Sequence, residues 1–309
     1  PPISTLFPYT TLFRSDARLY NLAMFQFGLR AHDLGRLPAE QLAEILAPYQ
    51  PASIQLALSK ALSDSPNANG SLSPGYARRL RRIFGSRGIA ISVLGCYINP
   101  VHPDPDKRNQ DLLRFEEHLR FVRDFGCSIV GTETGNRSVD GSFHPDTAKP
   151  ETFDLLCRSL ERLLRTAESS SAIIGVEAVA GKHTISSVDR MASLLARLDS
   201  PNLQVIYDPV NLIPQDGLTE SQESFFRRAM DSFGPKIVAV HAKDFRMKAG
   251  QKNGTLPTGT GELDYPTLFR LLYQTKPWID VLLEDCNPSS AGPALVYVRS
   301  LLASTDSPD

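Results

Sequence analysis

No apolar run in this sequence approaches the ~18 residues that a membrane-spanning helix requires, so no membrane partner is expected. Cysteine is scarce: Cys96, Cys127, Cys157 and Cys286 lie far apart and form no CxxC pair. They fit neither a zinc ribbon nor a disulfide framework, which points to a reducing, cytoplasmic compartment. Excess charge is missing too, with 33 Lys and Arg against 34 Asp and Glu and a formal net charge of -1. Binding a phosphate backbone needs clustered basic residues, so nucleic acid is not expected as the main partner. The run Arg78, Arg79, Arg81, Arg82 reads as the solvated face of a helix. A dinucleotide fingerprint is also absent, because Gly259-Thr260-Gly261 neither follows a strand nor continues to a third glycine.

Apolar material is present in quantity, 41% of the residues, enough for a sizeable core. A length of 309 residues fits about two ordinary domains or one large α/β barrel. The opening segment stands apart. Thr5–Ser15 reads TLFPYTTLFRS, which looks like the in-frame translation of a short sequencing adapter. Pro8 and the polar residues after it interrupt any signal-peptide core, and no basic region leads it. Residues 1–15 are therefore set aside as a non-native segment, and 16–309 are taken as one folded domain.

From Leu22 the pattern becomes regular. Strand-length apolar runs fall at Leu22–Leu29, Ser53–Leu58, Ile89–Leu94, Cys127–Gly131, Ala172–Val176, Leu203–Tyr207, Ile237–Val240 and Ile279–Leu283. Between and after them come stretches of helical spacing, among them Asp111–Phe125 and Pro150–Ala167. Pro150 suits a helix start, and Phe153, Leu156, Leu160, Leu163 and Ala167 form one stripe. Ser186 with Asp189 resembles a capping box, and Asp264 is the expected cap of a helix over Tyr265–Tyr273. Ala249–Gly261 reads as a loop able to close over a site. About eight strand–helix units predict a single (β/α)8 TIM barrel. The strands are apolar nearly throughout, as parallel strands covered by helices are. A doubly wound open sheet is the runner-up, without a motif in its favour.

Four of the runs end alike: IIGVEAV on Glu177, LQVIYDPVN on Asp208, KIVAVHAKDF on His241 and VLLEDCN on Glu284. In a barrel, every strand's C-terminal end faces the same mouth, so residues distant in sequence meet there. Three carboxylates and an imidazole make an oxygen-rich donor set for one divalent ion, Mn²⁺ or Mg²⁺ ahead of Co²⁺ or Zn²⁺. Any one of the four alone is more commonly a helix cap or the partner of an arginine. Their repetition at successive strand ends favours the metal.

In chain order, VEAVAGKHTIS, IYDPVNL, VHAKDF, GTGELDY and LLED resemble the sugar phosphate isomerase/epimerase family with the xylose-isomerase-like barrel. The likeness covers most of Leu22–Leu302 and is strongest from Gly175 onward. It implies that Glu177, Asp208, His241 and Glu284 bind the metal. It further implies that Glu177 and Glu284 face opposite sides of a small polyhydroxy carbonyl substrate and move protons. A C–H beside a carbonyl is a weak acid, and the difficulty is the enediolate left behind. A metal stabilises that charge, and positioned acid–base groups contribute ~10²–10⁴-fold. Return of the proton to the opposite face is epimerisation, and to the neighbouring carbon is isomerisation. The alternatives are an inosose-type dehydratase on the same barrel and a non-catalytic sugar-binding barrel. A homo-oligomer is left open.

The chain also departs from that family. Many of its epimerases carry a His three residues after the sixth-strand Asp, where this chain has Asn211, which hydrogen-bonds but does not titrate. The likeness reaches endonuclease IV, a DNA-repair relative with three metals. Asn211 replaces one of its ligand positions, and its His-bearing motif is missing from Asp244–Leu263, which argues against that activity. Further candidates for substrate contact are Glu133 in GTETG, His183, Asn211, Arg246, His32 in RAHDLG and His102 in NPVHPD. An arginine suits hydroxyl, carboxylate or phosphate oxygens. The plainer alternatives are a structural hydrogen bond for Glu133 and His183, a salt bridge for Arg246, a turn for His32 and a solvated loop for His102.

Overall fold

The computed structural model describes Phe25–Ala303 apart from Asn67 and the side chain of Ala303; the segment 1–15 lies outside the described residues. The strands are β1 (Gln26–Arg30), β2 (Ser53–Ala57), β3 (Ala90–Gly95), β4 (Ile129–Glu133), β5 (Ile173–Glu177), β6 (Leu203–Tyr207), β7 (Ile237–Ala242), β8 (Asp244–Lys248), β9 (Gln251–Leu256) and β10 (Asp280–Leu283). Strands β1 to β7 and β10 form a closed parallel barrel, with β10 lying between β7 and β1. This is the expected (β/α)8 barrel, and closure rules out the doubly wound sheet. The register slips by one residue at Ser92, between β2 and β3, and at Val238, between β6 and β7. Such slips add twist and re-aim the residues that follow. Among the described residues, no helix is long and apolar enough to cross a membrane.

Local chemistry explains most helix limits. Helix Pro150–Ser169 starts at its proline and buries Leu156, Leu160, Leu163 and Ala167. Asp264 Oδ1 accepts from Thr267 N at 3.1 Å and caps Tyr265–Thr275 as expected. The cap of Val188–Leu198 is Ser187, accepting from Arg190 N at 3.2 Å, one residue beyond the expected Ser186. The helix expected over Asp111–Phe125 instead spans Pro105–Phe121, capped by Asp104. Its first turns are polar, so apolar periodicity marks only the part that is buried.

Ala249–Gly261 is not the expected loop. Strands β8 and β9 pair antiparallel around Ala249 and Gly250, both at positive φ (50° and 75°). Glycine tolerates that turn at no steric cost. The strand β9 is polar and alternates exposed with half-buried residues, so no apolar period announces it. Lys252 on this hairpin donates to the carbonyls of Val210 and Ile213 at 2.7 and 2.5 Å. The hairpin is thereby tied to the segment after β6.

The outer strand faces pack on the helices in one continuous core. Inside the barrel, Val93, Ile206, Ala239 and Leu282 make a small plug with Ile129 against it. Gly131 and Gly175 leave room for Ile206: a methyl group there would stand 2.7 and 2.9 Å from its side chain. The four cysteines are buried and free.

Candidate metal centre and the cavity above it

Four neighbouring strands end at one point of the mouth. Glu177 closes β5, Asp208 follows β6, His241 lies near the end of β7 and Glu284 follows β10. One ligand atom from each lies within 4.8 Å of the others, and all four side chains are buried. His241 Nδ1 stands 3.1 Å from Glu177 Oε2 and 3.3 Å from Glu284 Oε2. Its Nε2 donates to Gln55 Oε1 at 2.5 Å. That bond fixes the ring and turns Nδ1 toward the carboxylates, the usual second partner of a metal-binding histidine. His241 Nδ1 and Asp208 Oδ2 are buried without a hydrogen-bond partner. His241 Nδ1 faces Glu177 and Glu284, and Asp208 Oδ2 meets only the Lys243 ammonium, 3.0 Å away, an arrangement that a divalent cation with oxygen-rich ligation would fit.

Each donor is held from outside. Asn211 Nδ2 donates to Glu177 Oε1 at 2.5 Å, and Asn211 N donates to Asp208 Oδ1 at 2.8 Å. Glu284 Oε1 accepts from Lys243 Nζ at 2.5 Å and Glu284 Oε2 from Arg30 Nη1 at 2.8 Å. Arg30 also donates to Asp33 and Asp285, both at 2.8 Å. Gln55 Nε2 donates to the Tyr97 hydroxyl at 2.7 Å. Burial opposes ionisation of Glu284, but Lys243, His241 and Arg30 outweigh it and hold the carboxyl well below its usual range. Burial likewise opposes His241, yet Glu177 and Glu284 bring the imidazole up to about 9. The acids that would hold a proton on Nδ1 would equally hold a cation in its place. Burial pushes Asp208 up to about 6 against the pull of Lys243.

A cavity of about 170 Å³ opens above Glu177 and Glu284, and Arg30, Lys60, Tyr97 and Glu133 form one of its walls. Of the candidate substrate contacts, Glu133, His183 and Asn211 line it. Glu133 ends β4 beside Glu177; burial first, then Glu177, push its carboxyl up to about 7. His183 Nε2 stands 3.7 Å from Glu133 Oε2, and burial with nearby Lys182 pulls the imidazole down to about 4. Asn211 spends its amide on Glu177. His32 lies outside the lining, edge-on to the Tyr97 ring with centroids 6.2 Å apart, and burial pulls it down to about 3. His102 is turned into its own loop, where Nδ1 accepts from Asp104 N at 3.1 Å. Arg246 is exposed on the hairpin and donates to Thr260 O at 2.7 Å. Neither of these last two lines the cavity.

Several groups at the site escaped the sequence reading. Lys243 stands two residues past His241, within VHAKDF. Gln55 is the polar residue within SIQLAL, and Tyr97 follows the third strand. Lys60 Nζ sits 3.7 Å above the Tyr97 ring, a cation–π contact that depends on the short helix Leu58–Ala61 meeting the segment after β3.

A closed parallel barrel with a buried cluster of acids and an imidazole at its mouth defines the class of protein. The chain belongs to the xylose isomerase-like TIM barrel family, which it matches over residues 53–303. Inosose dehydratase of Histophilus somni (strain 129Pt) is 24% identical over 248 residues, covering 72% of this chain and 79% of that protein. Among solved structures, a D-tagatose 3-epimerase-like protein superposes with a TM-score of 0.72 at 14% identity, over 91% of this chain and 98% of that one. A xylose isomerase-like TIM barrel protein from Mycobacterium smegmatis, in complex with magnesium, gives 0.69 at 15% identity, over 93% and 99%. At these identities the structural likeness speaks for the fold.

Proposed function

We propose that this chain is an enzyme dependent on one divalent ion, Mn²⁺ or Mg²⁺, that epimerises or isomerises a sugar, a sugar phosphate or a related polyhydroxy carbonyl compound. The observation that carries the reading is the buried quartet Glu177, Asp208, His241 and Glu284, whose ligand atoms lie within 4.8 Å of one another. These four would hold the ion. When bound, it supplies Lewis-acid stabilisation of the negative charge that grows on substrate oxygen as a C–H bond breaks. Glu177 and Glu284 both line the cavity, so a substrate lying in it would have both carboxylates within reach. Glu177, held by the neutral amide of Asn211 and by His241, carries fewer cationic partners than Glu284 and is the better base of the two. Glu284, gripped by Lys243 and Arg30, favours its ionised form and is the weaker base. Tyr97 and Arg30 present hydrogen-bond donors to substrate oxygens.

A second reading is dehydration. The inosose dehydratase relative supports it, and so does Glu133, whose carboxyl keeps its proton up to about pH 7 and can give it to a departing hydroxyl. One experiment separates the readings. The Mn²⁺-loaded protein is incubated in D₂O with ketoses, keto-inositols and their phosphates and followed by NMR. Epimerisation or isomerisation is expected to exchange a C–H for deuterium with the hydroxyl count unchanged, and Glu177→Gln to stop it. Loss of water from the product would favour the dehydratase. No exchange and no new product with any of these compounds would sink both.

A further inference from the structure

Besides its four candidate ligands, the metal centre holds a fifth charged group that the mechanism above uses only as a grip on Glu284. Lys243 Nζ lies 3.0 Å from Asp208 Oδ2, 2.5 Å from Glu284 Oε1 and 3.9 Å from Asp285 Oδ2, with the side chain 7% exposed. Its backbone is pinned as firmly as its head group. The buried Tyr265 hydroxyl donates to the Lys243 carbonyl at 2.8 Å. The preceding carbonyl, of Ala242, accepts from Glu284 N at 3.0 Å and from Thr258 Oγ1 at 2.7 Å. The ammonium is therefore fixed among the donors rather than drawn in from solvent.

We infer that Lys243 is a resident cation of the metal centre: it holds Asp208 and Glu284 together when no ion is bound, and it weakens ion binding enough to make the ion exchangeable. This rests on the metal-centre reading above. Two of the four donor residues already share their carboxylates with Lys243, so an incoming ion competes for the same oxygens. It also meets a like charge that cannot move away. Three carboxylates carry one more negative charge than a divalent ion offsets, and Lys243 supplies the remainder. Counted over the four ligand residues, Lys243 and the ion, the charges cancel, and the Arg30 guanidinium on Glu284 is itself paired with Asp33 and Asp285; without Lys243 those ligand residues keep a negative charge that draws the ion in. Lys243 is in this sense a positioning residue, acting on the carboxylates rather than on substrate.

The test uses the full chain stripped of metal and titrated with Mn²⁺ by calorimetry. Lys243→Met keeps the length of the side chain and removes its charge. It is expected to bind one ion at least about 10-fold tighter than wild type, because like charges sharing ligands repel. In EDTA it is expected to melt below wild type, with the gap closing at saturating Mn²⁺. Lys243→Arg, which keeps the charge, should stay within about 3-fold of wild-type affinity on the same Coulombic ground. If Lys243→Met does not fold in EDTA, Lys243→Gln takes its place. Wild type binding one ion and the uncharged variants binding it no more tightly would overturn the inference alone. Neither wild type nor variants binding Mn²⁺ would overturn the metal reading, and the inference with it.

Discussion

The two arcs of the barrel mouth divide the work unequally. One arc, β5, β6, β7 and β10, contributes all four members of the buried quartet. The other, β1 to β4, contributes none, yet it supplies groups that aim two of them, while Asn211 and Lys243 of the first arc hold Glu177, Asp208 and Glu284. Arg30 at the end of β1 grips Glu284, and Gln55 on β2 reaches across the barrel to His241. Tyr97, after β3, accepts from Gln55, and Glu133 on β4 stands beside Glu177. The arcs also hold protons differently: Glu284 is kept ionised by cations, whereas burial leaves Glu133 protonated up to about pH 7. The arc rich in donors sets what can be bound and holds its own acids through Asn211 and Lys243; the facing arc adds the grips on His241 and Glu284.

That division can be broken at three points. The largest effect is expected on the donor arc: Asp208→Ala should abolish uptake of the ion while the barrel still folds, measured by elemental analysis after reloading and by circular dichroism. Full occupancy in that variant would remove Asp208 from the centre. Next comes the bond across the barrel. Gln55→Leu should weaken Mn²⁺ binding by about 10–100-fold, the usual cost of losing the group that orients a metal-binding histidine. Unchanged affinity would show that β7 alone aims His241.

The smallest effect concerns Glu133. Its folded pKa, about 7, lies above the ordinary 4.5, so the folded state binds this proton more tightly than the unfolded chain does. Stability should therefore fall as pH rises from about 4.5 to 7 and level off above. Glu133→Gln should remove that slope, by no more than about 1 kcal/mol once its partial exposure is allowed for. Urea titrations of both proteins across that range would reveal it, and identical slopes would argue that Glu133 ionises normally.

The same comparison explains what could be read from the chain alone. The barrel and the quartet were legible because both rest on local text: a short apolar run, then an acid or a histidine where the run stops. Asn211 was legible too, three residues from Asp208, although its amide is hydrogen-bonded to Glu177 rather than free for a hydroxyl. On the facing arc, Glu133 in GTETG had local text, but the grips on His241 and Glu284 had none. Arg30 and Glu284 are 254 positions apart and meet only because β10 lies against β1. Gln55 could have been flagged as a polar residue in an apolar strand, but nothing nearby names His241 as its partner. Arg246 and His102 show the converse. Both lie close in sequence to strand ends, but one is carried out on the hairpin and the other is spent inside its loop. Closeness along the chain is a weak guide once the backbone has turned.

The place of β10 has a consequence for the making of the protein. It is the last barrel strand to leave the ribosome, and Glu284 comes with it. A nascent chain that has emerged only through β7 displays Glu177, Asp208 and His241 but lacks the fourth donor. The same short segment lets β1 pair on its open side and gives Arg30 its carboxylate. Closing the barrel and completing the centre are thus one event in the life of the chain, which keeps a half-made molecule from presenting the finished cluster.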